Sequence, residues 1–221
     1  MPPDRRAPLP QPPSVAPSLT PAAPSALEHD ATLAECELRD LALIDQRARG
    51  VTMQAVRLAG VELARSQLEH LRVTDAAMAR CNLANLEARG AHLTRVALSA
   101  SRVTGVELSE GVLADVSFSE CRIDLASFSF SRLERVSFED CLLAQSGFLD
   151  ARLDGVRFEG CDMSECDFRG AKLSRCEIRR CELGGLQGIA SLRGVAMEAQ
   201  TIVALADVWA AALGIELLEG D

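Results

Sequence analysis

The stretch that decides the fold reads VSFSE, CRIDL, ASFSF and SRLER over residues 116–135. Each group of five has a large apolar residue at its centre, a small residue two places earlier, and mostly polar residues elsewhere. The same register runs from Ala31 to Gly185 without an insertion or deletion. A helix repeats apolar residues every three or four positions and a strand every two, so a period of five predicts a repeat architecture.

Two positions of each five are restricted in residue type. The 31 central positions, every fifth residue from Leu33 to Leu183, hold 16 leucines, six phenylalanines, three methionines, two isoleucines, two valines and two alanines. The residues two before them are alanine, cysteine, valine or serine, with five exceptions: Leu41, Gln46, Leu71, Leu86 and Gly111. Charged side chains occupy the other three positions, so two residues of each unit face a core and three face solvent.

A coil of square cross-section satisfies this pattern, with one five-residue unit on each wall and 20 residues in each turn. Coils stack as neighbouring strands do, about 4.8 Å apart. The 31 units therefore predict about eight coils and a shaft roughly 36 Å long. We number the walls from the unit at 31–35, so that 36–40 lies on the second wall, 41–45 on the third and 46–50 on the fourth.

Units such as CNLAN (81–85), CDFRG (166–170) and AKLSR (171–175) resemble the A-(N/D)-L-x-x consensus of the pentapeptide-repeat family. The resemblance covers 155 of the 221 residues, although Asn or Asp precedes the central residue only at Asn82, Asp162 and Asp167. It implies an all-β solenoid, specifically a right-handed quadrilateral β-helix. Because a fold does not fix a function, the family alone leaves the activity open.

Residues 20 apart should lie above one another in such a coil. On this register the six central phenylalanines form two core ladders on opposite walls, one at Phe118, Phe138 and Phe158 and one at Phe128, Phe148 and Phe168. All eight cysteines take the inward position two before a central residue, at 36, 81, 121, 141, 161, 166, 176 and 181. A linear ladder of sulfurs does not converge on one metal ion. We therefore expect free thiols, no metal and a reducing, cytoplasmic location.

The two ends of the chain depart from the register. All nine prolines lie between Pro2 and Pro24, and residues 1–30 contain no apolar run, so we expect a disordered arm that is neither a signal peptide nor a membrane anchor. The β-helix is predicted over 31–195. Residues 196–221 are predicted to form a helix and a short strand that cover the open end of the coil, with four apolar residues at helical spacing: Ile202, Leu205, Trp209 and Leu213.

This tail resembles that of pentapeptide-repeat proteins that dimerise tail to tail. They include quinolone-protection proteins, which resemble DNA in shape and charge and bind DNA gyrase. The resemblance implies a homodimer through the cap.

The sequence contains no set of residues that indicates catalysis. No nucleophile–base set, phosphate-binding glycine loop or HExxH motif occurs, and the inward positions carry no carboxylate. We therefore predict a protein that is not an enzyme and has no catalytic, cofactor or metal site.

The charge of the chain is concentrated in one segment. Residues 106–170 carry a net charge of −8, from 14 acidic and six basic residues, out of −9 for the whole chain. Phosphate contacts need Lys and Arg, so direct nucleic-acid binding is not expected. Partner-binding candidates are the acidic residues of this segment and four apolar residues that point outward in the fifth and sixth coils: Glu107, Glu110, Asp115, Glu120, Glu139, Asp140 and Asp150, with Leu125, Phe130, Leu142 and Leu149.

Three functions fit these features. The first is a protein-binding scaffold that uses its acidic, rod-like surface. The second is a DNA mimic that binds a type II topoisomerase, inhibits DNA gyrase and confers quinolone protection. The third is a purely structural spacer.

Overall fold

The computed structural model describes residues 7–212 and 214–216. Its strands are β1 (Thr20–Pro21), β2 (Thr32–Ala34), β3 (Cys36–Arg39), β4 (Arg47–Arg49), β5 (Thr52–Ala59), β6 (Gln67–Glu69), β7 (Arg72–Ala79), β8 (His92–Ser99), β9 (Val112–Ser119), β10 (Arg132–Glu139), β11 (Arg152–Asp154), β12 (Arg157–Glu159), β13 (Lys172–Ser174), β14 (Glu177–Arg179) and β15 (Ala196–Met197). A 3-10 helix spans Ile189–Leu192, and two helices follow, α1 (Ala199–Ala204) and α2 (Ala206–Ala212).

The strands stack in parallel with a register of 20 residues, as the sequence predicted. Phe138 pairs with Phe118 on one side and with Phe158 on the other. Long strands such as β9 and β10 cross the first and second walls, whereas the third and fourth walls are joined mainly by isolated bridges. The result is a right-handed β-helix of about nine turns. Short strands at the two ends, β1 and β15, extend the stack beyond the eight predicted coils.

The corners of the square are made by backbone conformation. Every fifth residue from Asp30 to Gly185 has a positive φ, between 46° and 73°. Glycine holds eight of these corners, and the other 24 carry side chains. A left-handed conformation costs an L-residue roughly 1–2 kcal/mol, so the stacked hydrogen bonds and the buried core must offset a repeated local cost.

The core is one apolar column inside the coils. Phe118, Phe138 and Phe158 stack with ring centroids 4.9 and 5.0 Å apart. The opposite ladder stacks in the same way, and the two ladders meet edge to face, as between Phe128 and Phe138 at 5.9 Å. Where the Phe ladders give way to leucine and methionine, an apolar cavity of about 40 Å³ remains, bordered by Leu98, Leu108 and Phe118 among others.

The C-terminal cap contains two short helices where the sequence predicted one. Helix α1 ends at Ala204, α2 begins at Ala206, and the amide of Trp209 donates to the carbonyl oxygen of Leu205 at 2.9 Å. Leu205 is buried and Trp209 packs against the core, so the cap covers the end of the coil. Leu213 lies outside the described residues.

Residues 7–30 of the N-terminal segment, for which the composition predicts disorder, follow a defined path in the structure. These residues run along the shaft, across the stacked coils, from Glu177 near the C-terminal end to β3 near the start. Three backbone amides of the arm donate to shaft carboxylates: Ala7 to Glu177, Gln11 to Asp115 and Ser14 to Asp75. Composition alone predicted disorder because a proline-rich segment makes no internal hydrogen bonds; here the shaft supplies the acceptors.

Candidate functional site

The four outward-pointing apolar residues form a patch over the third and fourth walls. Phe130 is 57% exposed, Leu125 56% and Leu142 47%, whereas Leu149 is half-buried. The amide of Phe130 donates to the carbonyl oxygen of Leu149 at 2.8 Å, so these two residues are adjacent in neighbouring coils. We call Leu125, Phe130, Leu142 and Leu149 the apolar patch.

Two members of the patch occupy corners. Leu125 and Phe130 have φ values of 61° and 60°. Bulky residues are unfavourable in this conformation, and at a solvent-facing corner neither side chain gains much burial in return. All 32 corners of the coil have this conformation, and 30 of them carry Gly, Ala or a polar residue. Leu125 and Phe130 are the two that carry a large apolar side chain, which distinguishes the patch from scattered surface leucines.

Carboxylates lie above and below Phe130 at the same corner. Glu110 precedes it by 20 residues and Asp150 follows it by 20, so the three occupy successive coils. Glu110 forms an ion pair with Arg89, which lowers the pKa of Glu110. A shallow surface depression beside Phe130 is bordered by Ser131, Arg132, Asp150 and Arg152. The aromatic ring thus sits among groups of both charges.

A second acidic group lies at the corner between the second and third walls. Glu120 and Asp140 occupy this corner in successive coils, and the amide of Glu120 donates to the carbonyl oxygen of Glu139. Glu139 is also in register with Glu159 on the next coil. Among residues 7–212 and 214–216, Glu107, Glu120 and Glu139 take part in no ion pair. Glu120 and Glu139 also make no side-chain hydrogen bond among the described residues, whereas Glu107 accepts from the amide of Ser109 at 3.0 Å.

Many of the other acidic residues already have intramolecular neighbours. The side chain of Asp140 leans over Gly160, and that of Asp150 leans over Gly170, so closely that a Cβ on either glycine would meet Oδ1 at 2.2 Å. Elsewhere an acidic residue faces an arginine, as in Asp124 with Arg122. The surface of 106–170 is therefore a mixture of paired and unpaired charges, with no uniformly acidic wall.

Asp115 does not belong to the exposed surface. It is 5% exposed and lies under the arm at the corner between the first and second walls. Arg135 donates to both carboxylate oxygens at 2.8 Å. Those bonds lower the pKa of Asp115 against the opposing effect of burial, and the amide of Gln11 lowers it further. The sequence placed this residue among the partner-binding candidates because burial by the arm left no trace in the five-residue register.

Apolar residues are also exposed on the cap. Ile202 is 48% exposed, Val203 74% and Ile215 55%, whereas Leu205 is buried and Trp209 is half-buried. The helical spacing predicted the inward members. It included Ile202 in the same stripe, but the break between α1 and α2 at Leu205 turns Ile202 toward solvent.

The eight cysteines are free, and all but Cys181 are buried. Within the part of the chain that the structure describes, no group of three or more His, Cys, Asp or Glu side chains is arranged to hold a metal ion. The thiols instead donate to backbone carbonyls, for example Cys141 to Glu139 at 3.2 Å. Burial raises the pKa of Cys166 to about 12, so this thiol stays protonated at neutral pH.

The repeat architecture agrees with a comparison against protein families. The pentapeptide repeat region model matches residues 71–148 and 126–187, which together span more than half of the chain. The protein belongs to the pentapeptide-repeat family. A search of curated protein sequences finds no significant match.

A solved structure has a similar fold. Trypsin-treated QnrB1, a plasmid-mediated fluoroquinolone resistance protein, aligns with 88% of this chain and 100% of its own, at 17% identity and a TM-score of 0.50. HetL, a protein involved in heterocyst differentiation regulation from the cyanobacterium Nostoc sp. strain PCC 7120, aligns with 76% of this chain and 90% of its own, at 17% identity and a TM-score of 0.45. At such identity the likeness concerns the fold alone. None of the helices among the described residues is long and apolar enough to span a bilayer.

Proposed function

We propose that this pentapeptide-repeat protein is a non-catalytic scaffold that binds another protein through the apolar patch. The observation that carries the proposal is Phe130, an aromatic side chain held 57% exposed at a left-handed corner. Aromatic anchors contribute disproportionately to protein–protein binding when a partner desolvates them. The rigid stack beneath Phe130 fixes its position, which reduces the entropy cost of binding.

The charges around the patch indicate a partner with a basic surface. Three carboxylates have no ion-pair partner in the described part of the chain: Glu107, Glu120 and Glu139. Glu120 and Glu139 lie in the two coils that carry the patch, and Glu107 lies in the coil next to them. Such carboxylates would raise the association rate of a basic protein, while Phe130 and Leu125 would slow its dissociation. Buried free thiols support a reducing compartment, and we place this interaction in the cytoplasm.

Replacement of Phe130 by aspartate tests the proposal. The purified Phe130→Asp protein should lose at least tenfold in affinity for a partner captured by the wild type, because an aromatic anchor is removed. Ile44→Asp is the matched control, since Ile44 is 39% exposed on the first coil, away from the patch. Equal binding by both variants would contradict a role for the patch. If neither the patch nor the carboxylates of Glu107, Glu120 and Glu139 affect capture, the structural-spacer alternative gains support.

A second candidate is a DNA mimic that acts on DNA gyrase. It is motivated by the acidic segment 106–170 and by the likeness in fold to QnrB1, a fluoroquinolone resistance protein. Such a protein should inhibit supercoiling or counter a quinolone at micromolar concentration, and the effect should weaken as salt rises. A variant with lysine at four acidic positions should lose the effect with its fold unchanged: Glu107, Glu110, Glu139 and Asp140. No effect of the wild type on gyrase at low salt would reject this candidate.

We further propose that the cap forms a homodimer interface. The exposed Ile202 and Val203 on α1 form an apolar face that the chain itself does not cover among the described residues. Light scattering should give twice the chain mass of 23.7 kDa. Aspartate at both Ile202 and Val203 should give a monomer, while Gln200→Asp on the same helix should leave the dimer intact. A wild-type monomer at tens of micromolar would refute the dimer.

A further inference from the structure

The N-terminal arm runs along a corner of the shaft at which two aspartates accept hydrogen bonds in the same geometry. The corner between the first and second walls carries the column Asp75, Arg95, Asp115, Arg135 and Gly155, one residue per coil. At Asp75, Oδ1 accepts from Arg95 Nε and from the Ser14 amide, at 2.7 and 2.9 Å. At Asp115, Oδ1 accepts from Arg135 Nε and from the Gln11 amide, at 2.8 and 3.1 Å. The two aspartates, which lie two coils apart, therefore bind the arm in the same way.

The spacing of the two aspartates matches an extended proline-rich chain. Two coils rise about 9.6 Å. Three residues of polyproline II rise about 9.3 Å, and Gln11 and Ser14 are three residues apart. The third contact, from the Ala7 amide to Glu177 at 2.8 Å, lies four residues further along the arm and about three coils further along the shaft. An extended segment reaches that distance without a break in direction.

An arginine orients each acceptor aspartate independently of the arm. Arg65 forms the same two bonds to Asp45, at 2.9 and 2.7 Å, at the corner between the third and fourth walls, where none of residues 7–30 donates a hydrogen bond to the carboxylate. The fork of the guanidinium therefore fixes the aspartate and leaves one lone pair of Oδ1 for a further donor. At Asp75 and Asp115 that donor is a backbone amide of the arm.

The shape of the corner also fits the arm. Gly155 stands in this column where other coils carry side chains, and a Cβ on it would lie 2.9 Å from the ring of Pro8. The arm is nevertheless weakly held, because none of residues 8–19 is buried and Leu9 is 66% exposed. The polar contacts at all three carboxylates come from its backbone, so the corner recognises an extended proline-rich backbone with free amides at set positions.

We propose that this corner is a binding site for an extended proline-rich segment of another protein, and that residues 7–19 fill it within the chain as a competing occupant. The segment it fits has amide donors at relative positions 1, 5 and 8, with prolines between them, as in Ala7, Gln11 and Ser14. A tethered arm competes at high effective concentration, so a free peptide meets a site that is mostly occupied. Displacement of the arm would expose the site.

The test uses the full chain and a fluorescein-labelled peptide of residues 1–19 as the probe. Gln11→Pro with Ser14→Pro removes two amide donors from the arm while retaining its extended backbone. Fluorescence anisotropy should show that this double variant binds the probe at least tenfold more tightly than the wild type does. Val15→Pro is the control, since no bond is made by the amide of Val15 to the shaft, and it should match the wild type. A probe that itself carries proline at positions 11 and 14 should bind the double variant at least tenfold more weakly.

Equal binding of the probe to the wild type and the double variant would overturn the proposal, as would equal binding of the two probes. Circular dichroism must show that the double variant keeps the β-helix. If it does not, hydrogen exchange on the wild type decides: the Gln11 and Ser14 amides should exchange at least tenfold more slowly than in the free peptide, and equal rates would overturn the seating of the arm. Asp115→Asn should accelerate that exchange, whereas Asp45→Asn, which alters the equivalent pair at a corner without the arm, should not.

Discussion

At the scale of single residues, each five-residue unit separates inward and outward positions sharply. Phe138 and Phe130 differ by only eight places, yet Phe138 is fully buried within an aromatic stack and Phe130 is 57% exposed at a corner. The same residue type therefore has opposite roles. One stabilises the column by stacking, and the other is available to a partner at a cost in local backbone energy.

Aspartate substitution separates these two roles. Phe138→Asp places a charge in the column and removes a stacked ring, so it should lower the free energy of unfolding by at least about 4 kcal/mol. Phe130→Asp should change it by no more than about 0.5 kcal/mol, as expected of a surface position. Urea denaturation followed by circular dichroism measures both. Equal losses would mean that the assignment of inward and outward positions is incorrect.

The glycine at position 155 illustrates a residue whose role depends on the arm. Gly155→Ala and Gly105→Ala both place a Cβ at a left-handed corner, with φ of 68° and 67°, and each should cost about 1 kcal/mol of stability. The new Cβ at 105 meets the side chain of Asn85, which can rotate, whereas that at 155 meets the Pro8 ring. Amide exchange at Gln11 should therefore accelerate only in Gly155→Ala. Unchanged exchange in both variants would show that Pro8 does not need the glycine.

At the scale of elements, the periodic part of the structure and its helical cap could be predicted, whereas the path of the N-terminal segment could not. The central residues, from Leu33 to Leu183, specified the coils because burial of one position in five repeats in the sequence itself. The corner residues contain a weaker signal, since Gly, Asp and Asn favour a positive φ but Arg and Glu also occupy these positions. The path of the arm could not be predicted, because its acceptors Asp75, Asp115 and Glu177 lie far away in sequence and look like ordinary surface carboxylates.

The candidate site was predictable to a similar degree. Outward-pointing Leu125, Phe130 and Leu142 could be read directly from the register, and the structure exposes all three. The register alone does not fix the state of each carboxylate, because that state depends on how the side chain contacts a residue 20 or 21 places later. An arginine there, as at Arg135, neutralises the aspartate below it, and a glycine, as at Gly160, lets the carboxylate fold over the backbone.

The two Phe ladders end beside a cavity, at the boundary with the lower coils. Leu98 is in register beneath Phe118 and borders the apolar cavity of about 40 Å³. Leu98→Phe should extend the stack into this space and raise the free energy of unfolding by about 0.5–1.5 kcal/mol. Leu38→Phe on the same wall of the first coil is the control: Leu38 does not border the cavity, and overpacking there should cost about 1–3 kcal/mol. Equal destabilisation in both, measured by urea unfolding, would mean that the cavity cannot accept a ring.

At the scale of the whole molecule, the protein is a one-dimensional stack in which each coil contacts its neighbours. Stability in such a stack is approximately a sum of similar increments, and opening begins at the ends. The arm adds contacts between coils that are not neighbours, since it joins Glu177 in the eighth coil to Asp115 and Asp75 in lower coils. It should therefore delay opening from the C-terminal end more than the strands alone would.

Labelling of the cysteines can measure the order in which the coils open, because the cysteines are distributed along the stack. Cys36 lies in the first coil, Cys141 in the sixth, and Cys176 and Cys181 in the eighth. The pKa of Cys141 in the folded stack is raised to about 12, chiefly by the neighbouring Cys121 thiol, so near pH 8 very little of its reactive thiolate is present until its coil opens. Alkylation of the native protein should thus proceed slowly, with Cys181 and Cys36 labelled first and the central thiols last. In denaturant close to eight thiols should react.

Mass spectrometry of the native reaction at successive times gives the rate for each cysteine. A variant with proline at Gln11 and Ser14 should accelerate labelling of Cys176 and Cys181 more than that of Cys36, because the arm is then no longer held at Asp115 and Asp75 and its contact with Glu177 is weakened. Val15→Pro should leave all rates unchanged. A single common rate for all eight cysteines would contradict end-first opening, since it would mean that the stack opens only as a whole. Equal acceleration at both ends in the double variant would instead mean that the arm stabilises the shaft uniformly and does not join particular coils.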